Sequence, residues 1–186
     1  MASKKRILVT GNLGYIGSLL TPLFTEKGYD VLGIDSGIFK DVQFVRRDNA
    51  GVTQIFKDIR NVDASDMKGT DALIHLAALS DDPQENLGKE LMLSINFEAT
   101  LHLARLAKEA GVKRFLFSSS CSVYGSGEGE KLVDESSPLK PISTYAISKA
   151  RSEEALAKLA SETFCPVFLR NATCYGISPR MRFDLV

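Results

Sequence analysis

The sequence predicts an α/β fold, a Rossmann-like doubly wound parallel sheet with helices on both faces. Three observations lead to this prediction. Apolar runs of strand length alternate with segments of helical periodicity along the 186 residues, and a glycine-rich loop at 11–17 follows the first run. An acidic residue, Asp35, ends the second run. Because a parallel strand is normally reached through a crossover helix, this alternation indicates parallel strands.

Six short apolar runs are the predicted strands. The first is a continuous apolar run, as is typical of a strand that is buried on both faces, and it stops at a Thr-Gly pair. The fifth runs into three serines, 118–120. The predicted strands cover residues 7–9, 31–34, 52–56, 72–76, 115–117 and 167–169.

Helical periodicity marks the connections between these strands. The first helix is expected to end before Gly28, and a long helix over 87–110 is expected to end at Gly111. A short helix is expected within 61–68, and another over 144–161. Residues 36–50 show no periodicity, and 125–141 are expected to form a functional surface loop. The predicted apolar faces are Ile16, Leu19, Leu20, Leu23 and Phe24 on the first helix, and Ile95, Ala99, Leu103, Leu106 and Ala110 on the long one.

The charge balance excludes some classes of partner. Lysine and arginine together number 23, as do aspartate and glutamate, so the formal net charge is zero. Proteins that bind nucleic acids or anionic membranes usually carry a basic surplus, and we expect neither partner here. No apolar run has the length of a transmembrane helix or of a signal peptide core.

Cysteine and histidine usage also limits the possibilities. Cys121, Cys165 and Cys174 are an odd number without a C-x-x-C pair, which fits a reducing compartment and predicts a cytoplasmic protein. His75 and His102 have no Cys, Asp or second His at ligand spacing. We therefore expect no metal site.

The glycine loop suggests a dinucleotide. Gly11, Gly14 and Gly17 follow the first strand in the spacing G-x-x-G-x-x-G. Glycines there let backbone amides approach a pyrophosphate, whose charge the next helix N-terminus stabilises. A tight strand-helix turn would also explain them, but Asp35 can additionally accept both hydroxyls of an adenosine ribose. Because Ser36 follows it, and not an arginine, the pattern favours NAD over NADP.

A tyrosine and a lysine form a second candidate constellation. Tyr145 and Lys149 are four residues apart on a predicted helix, hence on one face. A nearby cation favours the phenolate, so the pair can move a proton to or from a sugar hydroxyl. Such a pair on a solvated helix face is common, but here the serines 118–120 end a strand at the edge where ligands bind.

The chain resembles the extended short-chain dehydrogenase/reductase family, in particular its NAD-dependent nucleotide-sugar epimerases and dehydratases. The resemblance covers the whole chain in order. Its motifs are T-G-N-L-G-Y-I-G at 10–17, Asp35, D-I-R at 58–60, H-L-A-A at 75–78, N-F-E-A-T at 96–100, S-S-S-C-S-V-Y-G at 118–125, Y-A-I-S-K at 145–149 and L-R-N-A-T-C-Y-G at 169–176.

This resemblance implies a role for each matching residue. Tyr145 would be the catalytic acid/base, and Lys149 would lower its pKa and hold the nicotinamide ribose. Ser120 would supply the catalytic hydroxyl. Ser120, Asn171 and Thr173 would contact the substrate. The implied NAD-binding residues are Gly11, Asn12, Gly14, Tyr15, Ile16, Gly17, Asp35, Asp58, Ile59, Leu76, Ala77, Ala78, Asn96, Tyr145 and Lys149.

Two departures from the family pattern bear on the reaction. Cys121 and Ser122 stand where the family's 4,6-dehydratases carry an Asp-Glu pair, and its sugar-acid decarboxylases carry Glu at the position of Ser122. Eliminating water needs its own acid and base, so an epimerase or a simple dehydrogenase/reductase is favoured. Thr173 and Ile177 replace the family's usual Asn and Pro, which leaves the substrate contact there open.

Together these features predict an NAD-dependent nucleotide-sugar 4-epimerase acting on a UDP- or dTDP-hexose. The sugar C4 would be oxidised transiently, with NAD as hydride carrier and Tyr145 as acid/base. The alternatives are a non-catalytic or truncated NAD-binding module and a nucleotide-sugar dehydrogenase/reductase of the same family.

The resemblance also has implications for domains and assembly. Family members are longer, so residues 1–170 would form the NAD-binding domain and 171–186 the start of a substrate-binding region, whose lobe is largely absent. Family members commonly pair through helices that correspond to 87–110 and 144–161, which predicts a homodimer.

Overall fold

A six-stranded parallel sheet forms the centre of the computed structural model, which describes residues 4–42, 51–80, 88–125 and 132–182. The strands are β1 (Arg6–Thr10), β2 (Asp30–Asp35), β3 (Val52–Phe56), β4 (Ala72–His75), β5 (Arg114–Ser120) and β6 (Cys165–Asn171). Their order is β3-β2-β1-β4-β5-β6, and all neighbours are parallel. The predicted Rossmann-like fold is confirmed. The connection direction reverses between β1 and β4, where ligands bind at the carboxyl ends of such strands.

Four α-helices connect these strands within the described ranges. They are α1 (Gly17–Glu26), α2 (Lys89–Leu93), α3 (Ala99–Glu109) and α4 (Thr144–Ala157). A π-helical turn, Ser94–Glu98, joins α2 to α3, so the predicted long helix contains one wider turn. In place of the short helix expected within 61–68 there are two 3₁₀ turns, Ile59–Asn61 and Ala64–Met67, and a third, Cys121–Tyr124, follows β5. No described helix is both long and apolar enough to cross a bilayer.

Each face of the sheet packs against its own apolar cluster. Side chains alternate between the faces along a strand, so Leu8 and Val9 of β1 belong to different clusters. The larger cluster joins Phe115 and Phe117 of β5 to α3 and α4. The smaller one, on the α1 side, consists of Ile7, Val9, Val31 and Ile74 with partly buried neighbours.

The apolar face predicted for the first helix coincides only in part with the face that packs on the sheet. The buried residues of α1 are Gly17, Ser18 and Thr21, whereas Ile16 and Leu23 are 36% and 47% exposed. Small side chains let a helix lie close to the strands beneath it. Only the part of the predicted face formed by Leu20 and Phe24 packs against the smaller cluster.

Helix ends also differ from the prediction. Ala110 is exposed beyond α3, because the chain turns away at Gly111, whose φ is +79°. The last helix ends at Ala157 rather than 161, because Ser161 and Phe164 form a turn held by two backbone hydrogen bonds that leads into β6. The predicted helix start at 87 and parts of the loops at 36–50 and 125–141 lie outside the described residues.

Candidate active site

The glycine loop between β1 and α1 is held by close backbone contacts. Gly11 has a φ of +72°, which favours glycine, and a Cβ there would lie 2.7 Å from Ala77 N. A Cβ on Gly17 would lie 2.6 Å from Asn12 Cα. Gly14 N donates to Gly11 O at 3.0 Å. The loop is therefore a tight turn at the carboxyl end of β1, with no space for side chains at Gly11 and Gly17.

Gly17→Ala is expected to destabilise the protein more than Gly14→Ala. The Gly17 methyl group would overlap the backbone of Asn12, whereas a Cβ on Gly14 would meet only Gly11 O, at 3.1 Å. Overpacking of this kind costs about 1–3 kcal/mol of unfolding free energy. Urea unfolding of both variants measures the difference. Equal stability of the two variants would contradict this account of the turn.

Asp35 joins the end of β2 to the glycine loop. One carboxylate oxygen accepts from Leu13 N at 3.2 Å, and the other accepts from Gly37 N at 2.8 Å. A carboxylate offers about four lone-pair sites, so both oxygens retain capacity for further donors. Asp35 can therefore hold the loop and accept ribose hydroxyls at the same time.

The side chain of Asn12 points into the protein. It is 1% exposed, and its amide donates to Gln54 Oε1 at 2.7 Å. Gly33 on β2 leaves room for it, since a Cβ there would lie 2.7 Å from Asn12 Oδ1. A contact between Asn12 and a cofactor is therefore left to its backbone. The supporting residues Gln54 and Gly33 were not identified from the sequence.

Asp58 and Ile59 follow β3 at the same edge. The Asp58 carboxylate lies 2.6 Å from Nη2 of Arg60, and hydrogen bonding to that guanidinium lowers the pKa of Asp58. Ile59 is 6% exposed and belongs to the larger apolar cluster. The side chain of Ile59 is thus part of the core, and only its backbone remains to face an adenine.

Residues 76–78 extend β4 alongside the glycine loop. Leu76 N donates to Thr10 O at 3.1 Å, and the Ala77 backbone is the group that a Cβ on Gly11 would meet. Leu76 and Ala77 are partly buried, and Ala78 is exposed. The structure therefore brings two segments of the expected cofactor site into contact.

Asn96 holds the next residue of this segment. Its side chain is 1% exposed, accepts from Leu79 N and donates to Leu79 O, both at 2.8 Å. It lies within the π-helical turn, a feature that is frequent at functional sites. This placement fits the supporting role expected of Asn96.

Tyr145 and Lys149 lie one turn apart on α4, at the end of β5. Lys149 Nζ is 5.5 Å from the centroid of the Tyr145 ring and donates to Ser118 O at 2.7 Å. Ser120 ends β5, and its hydroxyl accepts from Ser122 N at 3.2 Å and from Ser122 Oγ at 2.9 Å. The three expected catalytic residues therefore lie at one edge of the sheet.

The environment of Lys149 changes its proton affinity. The residue is 3% exposed, and burial lowers its pKa to about 7, although the charge of Glu153 opposes this. Its Nζ also lies 4.6 Å from the centroid of the Phe117 ring, a contact that favours the cation. A lysine with this pKa readily takes up a proton when negative charge forms beside it, for example on a phenolate.

A buried ion pair ties α4 to the sheet. Glu153, one turn after Lys149, is 4% exposed and accepts from Ser119 Oγ and from Arg170, whose Nη2 is 2.7 Å away. Arg170 also donates to the Tyr124 hydroxyl at 2.8 Å. Glu153 was missed in the sequence, although its position four residues after Lys149 on the same helix face could have identified it.

The two remaining candidate substrate contacts differ in their surroundings. Asn171 is the last residue of β6, one residue beyond the predicted end of the cofactor-binding part, and its amide donates to Ser118 Oγ at 3.1 Å. Thr173 is exposed. The structure therefore brings Asn171, but not Thr173, to the serines of β5.

The chain then returns to the glycine loop. The Tyr15 hydroxyl donates to Gly176 O at 2.6 Å. Ser178 is fully buried, donates to Tyr15 O at 2.7 Å and lies 3.0 Å from Ser18 Oγ. Residues 174–182, here named the return segment, thus contact the glycine loop and the first turn of α1 through Gly176 and Ser178. No local pattern in the sequence indicated this contact.

His75, the last residue of β4, is buried and lies within hydrogen-bond distance of one residue of β1 and one of α3. Its Nδ1 lies 2.6 Å from Thr10 Oγ1, and its Nε2 lies 2.8 Å from Thr100 Oγ1. Burial, assisted by the charge of Lys149, lowers the pKa of His75 to about 3. Within the described ranges, no group of three or more His, Cys, Asp or Glu residues is arranged to hold a metal ion.

His75 is expected to remain neutral from about pH 8 to about pH 5, where an ordinary histidine titrates. In the unfolded chain its pKa is about 6.5. The stability that neutral His75 contributes is therefore present above that pH and is lost as the pH falls toward 3. His102→Gln leaves His75 as the one histidine of the chain, so its NMR resonances report directly. A titration midpoint near 6 would contradict this assignment.

The sequence matches the model of the NAD dependent epimerase/dehydratase family over residues 7–184. The uncharacterised UDP-glucose epimerase YtcB of Bacillus subtilis (strain 168) is 33% identical over 97% of this chain and 59% of its own length. A UDP-glucose 4-epimerase of Azospirillum brasilense is 32% identical over 97% of this chain and 52% of its own length. The chain thus spans about half the length of the curated relatives that it matches.

Solved structures show the same similarity. MoeE5 in complex with UDP-glucose and NAD superposes with a TM-score of 0.81 and 29% identity, over 96% of this chain and 57% of that chain. A UDP-glucuronic acid 4-epimerase from Bacillus cereus in complex with NAD gives 0.79 and 28%, over 96% and 60%. An NAD-dependent NDP-hexosamine 5,6-dehydratase, TunA, gives 0.78 and 27%, over 90% and 54%.

Proposed function

The chain belongs to the NAD-dependent epimerase/dehydratase family, and on this premise we propose that it carries out the 4-epimerisation of a nucleotide sugar, foremost a UDP-hexose. One observation carries the proposal. The ammonium of Lys149 is buried between the Tyr145 ring and the Ser118 carbonyl, at the edge where the sheet binds ligands. The UDP-glucose 4-epimerases among its relatives support the choice of substrate class.

The residues at this edge fit NAD, the cofactor of the family. The turn through Gly11 and Gly17 leaves no room for side chains, so backbone amides and the N-terminus of α1 can hold a pyrophosphate. Asp35 keeps lone pairs for the adenosine ribose, while Asp58 and residues 76–78 flank the same edge. When bound, NAD supplies a reversible acceptor for the hydrogen on C4 of the sugar.

The protein's own part is proton transfer and positioning. Tyr145 takes the proton of the C4 hydroxyl and later returns it to the same oxygen. The configuration at C4 is inverted because the sugar would present its other face when the hydrogen returns to the carbon. Lys149 stabilises the phenolate of Tyr145, and the Ser120 hydroxyl forms a hydrogen bond with the C4 oxygen of the sugar. Asn171 extends this edge toward the sugar, and residues 171–186 begin the substrate-binding region.

The residues around Ser120 favour epimerisation over dehydration. Ser122 donates to Ser120, and Cys121 is exposed. Dehydration needs an additional acid and base at the sugar, and Cys121 and Ser122 carry no carboxyl group for these two roles. The relatives include both reaction types, so these two positions decide the proposal.

The test is turnover with NAD present. Purified chain is incubated with NAD and UDP-glucose, UDP-galactose or the corresponding dTDP-hexoses, and the sugars are separated by chromatography. Interconversion of a C4 pair without net consumption of NAD is the expected result. The proposal fails if NAD binds and no pair interconverts.

Two alternatives follow from specific observations. Because the chain spans about half of its relatives, a non-catalytic NAD-binding module would bind NAD and convert no sugar. A 3-beta-hydroxysteroid dehydrogenase of Mycolicibacterium neoaurum is 30% identical over 72% of this chain and 37% of its own length, which keeps a dehydrogenase/reductase open. Such an enzyme would consume NAD stoichiometrically in the same assay.

We further propose a homodimer through the outer face of α3 and α4. A groove there is lined by Phe97, Leu101, Arg105, Arg151, Glu154 and Leu159. The Arg151 guanidinium lies 4.2 Å from the Phe97 ring centroid. The groove thus offers two arginines, the carboxylate of Glu154 and apolar side chains, which suit a two-fold interface. Sedimentation equilibrium should give a dimer for the wild type and a monomer for Leu101→Asp.

A cytoplasmic location is also proposed. Cys121, Cys165 and Cys174 are free and exposed, which is typical of a reducing compartment. Fractionation of the native cells with an antibody to the chain tests the location.

A further inference from the structure

We propose that Arg180, in the return segment, binds the diphosphate of the dinucleotide. This assignment rests on the proposed function, because it concerns the same NAD site. It adds a residue that lies more than 160 positions after the first glycine of the loop, and it gives the return segment a part in cofactor binding.

Two contacts, here called the anchors, fix the position of Arg180. Ser178, two residues earlier, is fixed to Tyr15 O and Ser18 at the glycine loop. The Arg180 guanidinium itself lies 4.1 Å from the centroid of the Phe39 ring, four residues after Asp35. A dinucleotide in this fold runs from the pyrophosphate at the glycine loop to the adenosine ribose at the acidic end of β2. The chain just before Arg180 is therefore anchored at the pyrophosphate end of that path, and its guanidinium packs on a residue that follows the ribose end.

The hydrogen bonding of Arg180 is incomplete. Its Nε is buried and has no hydrogen-bond partner within the described part of the chain, while Nη1 donates to Met181 O. The ion pairs found in the same part of the chain do not include Arg180. A buried donor without a partner costs free energy. Phosphate oxygens would satisfy it, because a guanidinium binds them in a bidentate, charge-assisted manner.

A diphosphate could come from the dinucleotide or from the nucleotide of the sugar substrate. The neighbours of Arg180 decide between them. Phe39 follows the strand that ends at Asp35, and Tyr15 belongs to the glycine loop, so both anchors lie at the dinucleotide site rather than at the serines of β5. We therefore assign the site to NAD.

The experiment is calorimetric binding of ADP-ribose, adenosine and UDP to the wild type, Arg180→Gln and Arg180→Lys. Arg114→Gln is the matched control, because Arg114 is an exposed arginine at the start of β5, the opposite edge of the sheet. We expect Arg180→Gln to weaken ADP-ribose binding by about tenfold to a hundredfold, and to leave adenosine binding unchanged. Arg180→Lys should recover part of the lost affinity. The difference in ADP-ribose affinity between the wild type and Arg180→Gln should become smaller at high salt.

The other outcomes are decisive. Unchanged ADP-ribose binding in Arg180→Gln overturns the assignment, as does an equal loss for adenosine, which would indicate a structural role. A loss confined to UDP assigns the arginine to the substrate and also overturns it. A wild-type chain that binds no ADP-ribose overturns the proposed function together with this inference. A chain that binds ADP-ribose normally in all variants overturns only the role of Arg180.

Discussion

Tyr145→Phe is expected to abolish measurable interconversion of a C4 sugar pair while leaving NAD binding nearly unchanged. General acid–base catalysis contributes about 10²–10⁴-fold, and the phenol is the group that exchanges the proton in the proposed reaction. The ring of Tyr145, which lies 5.5 Å from Lys149 Nζ, remains in the variant, so the packing around the lysine is retained. Sugar chromatography measures the turnover, and calorimetry measures NAD affinity.

Tyr29→Phe is the matched control for this substitution. Tyr29 lies just before β2, on the edge of the sheet away from the site, and makes an edge-to-face contact with Phe24. Removing its hydroxyl should leave turnover unchanged. Turnover of Tyr145→Phe at the wild-type rate would refute the proton-transfer role. A large loss of NAD affinity would show that the substitution acts through binding instead.

Glu153→Gln is expected to lower the free energy of unfolding by about 3–5 kcal/mol, because it leaves the charge of Arg170 uncompensated beneath the surface. The side chains of Glu153 and Arg170 are only 5% and 18% exposed, and hydrogen bonding to Glu153 raises the pKa of Arg170 above its usual value. For a chain of this length the loss corresponds to a fall of about 6–20 °C in Tm. Thermal unfolding followed by circular dichroism measures it.

The next residue provides the control. Glu154 pairs with Lys158 at 2.6 Å, but both side chains are about 70% exposed. Glu154→Gln should therefore cost no more than about 1 kcal/mol. The double variant Glu153→Met, Arg170→Met should recover much of the stability, because it removes both charges. Equal effects of Glu153→Gln and Glu154→Gln would rule out the buried pair as a major source of stability.

Local patterns were sufficient to predict the architecture. Each strand is a short apolar run, and the alternation of strands with helices implies parallel pairing whatever the details of packing. The glycine loop and Asp35 were identified because a dinucleotide places its requirements on residues that are close in sequence. Tyr145 and Lys149 were found for the same reason, since four residues on a helix are one turn.

Packing against the rest of the molecule decided what periodicity could not. Ile16 and Leu23 have the spacing of a buried face, but α1 lies on the sheet through Gly17, Ser18 and Thr21. Asn12 and Ile59 lie in the expected cofactor segments, yet their side chains are buried in the protein. Which face of an element is buried depends on its neighbours, and a single segment does not contain that information.

The sequence by itself determined the fold class, the order of the strands along the chain, the glycine loop and the Tyr-Lys pair, because each is encoded within one element or one turn. The tertiary structure alone placed Glu153 beside Arg170 and brought the return segment to the glycine loop. The serines that hold this segment, Ser18 and Ser178, are 160 residues apart. Contacts at such separations arise only when the sheet has brought distant strands side by side, so no local periodicity records them.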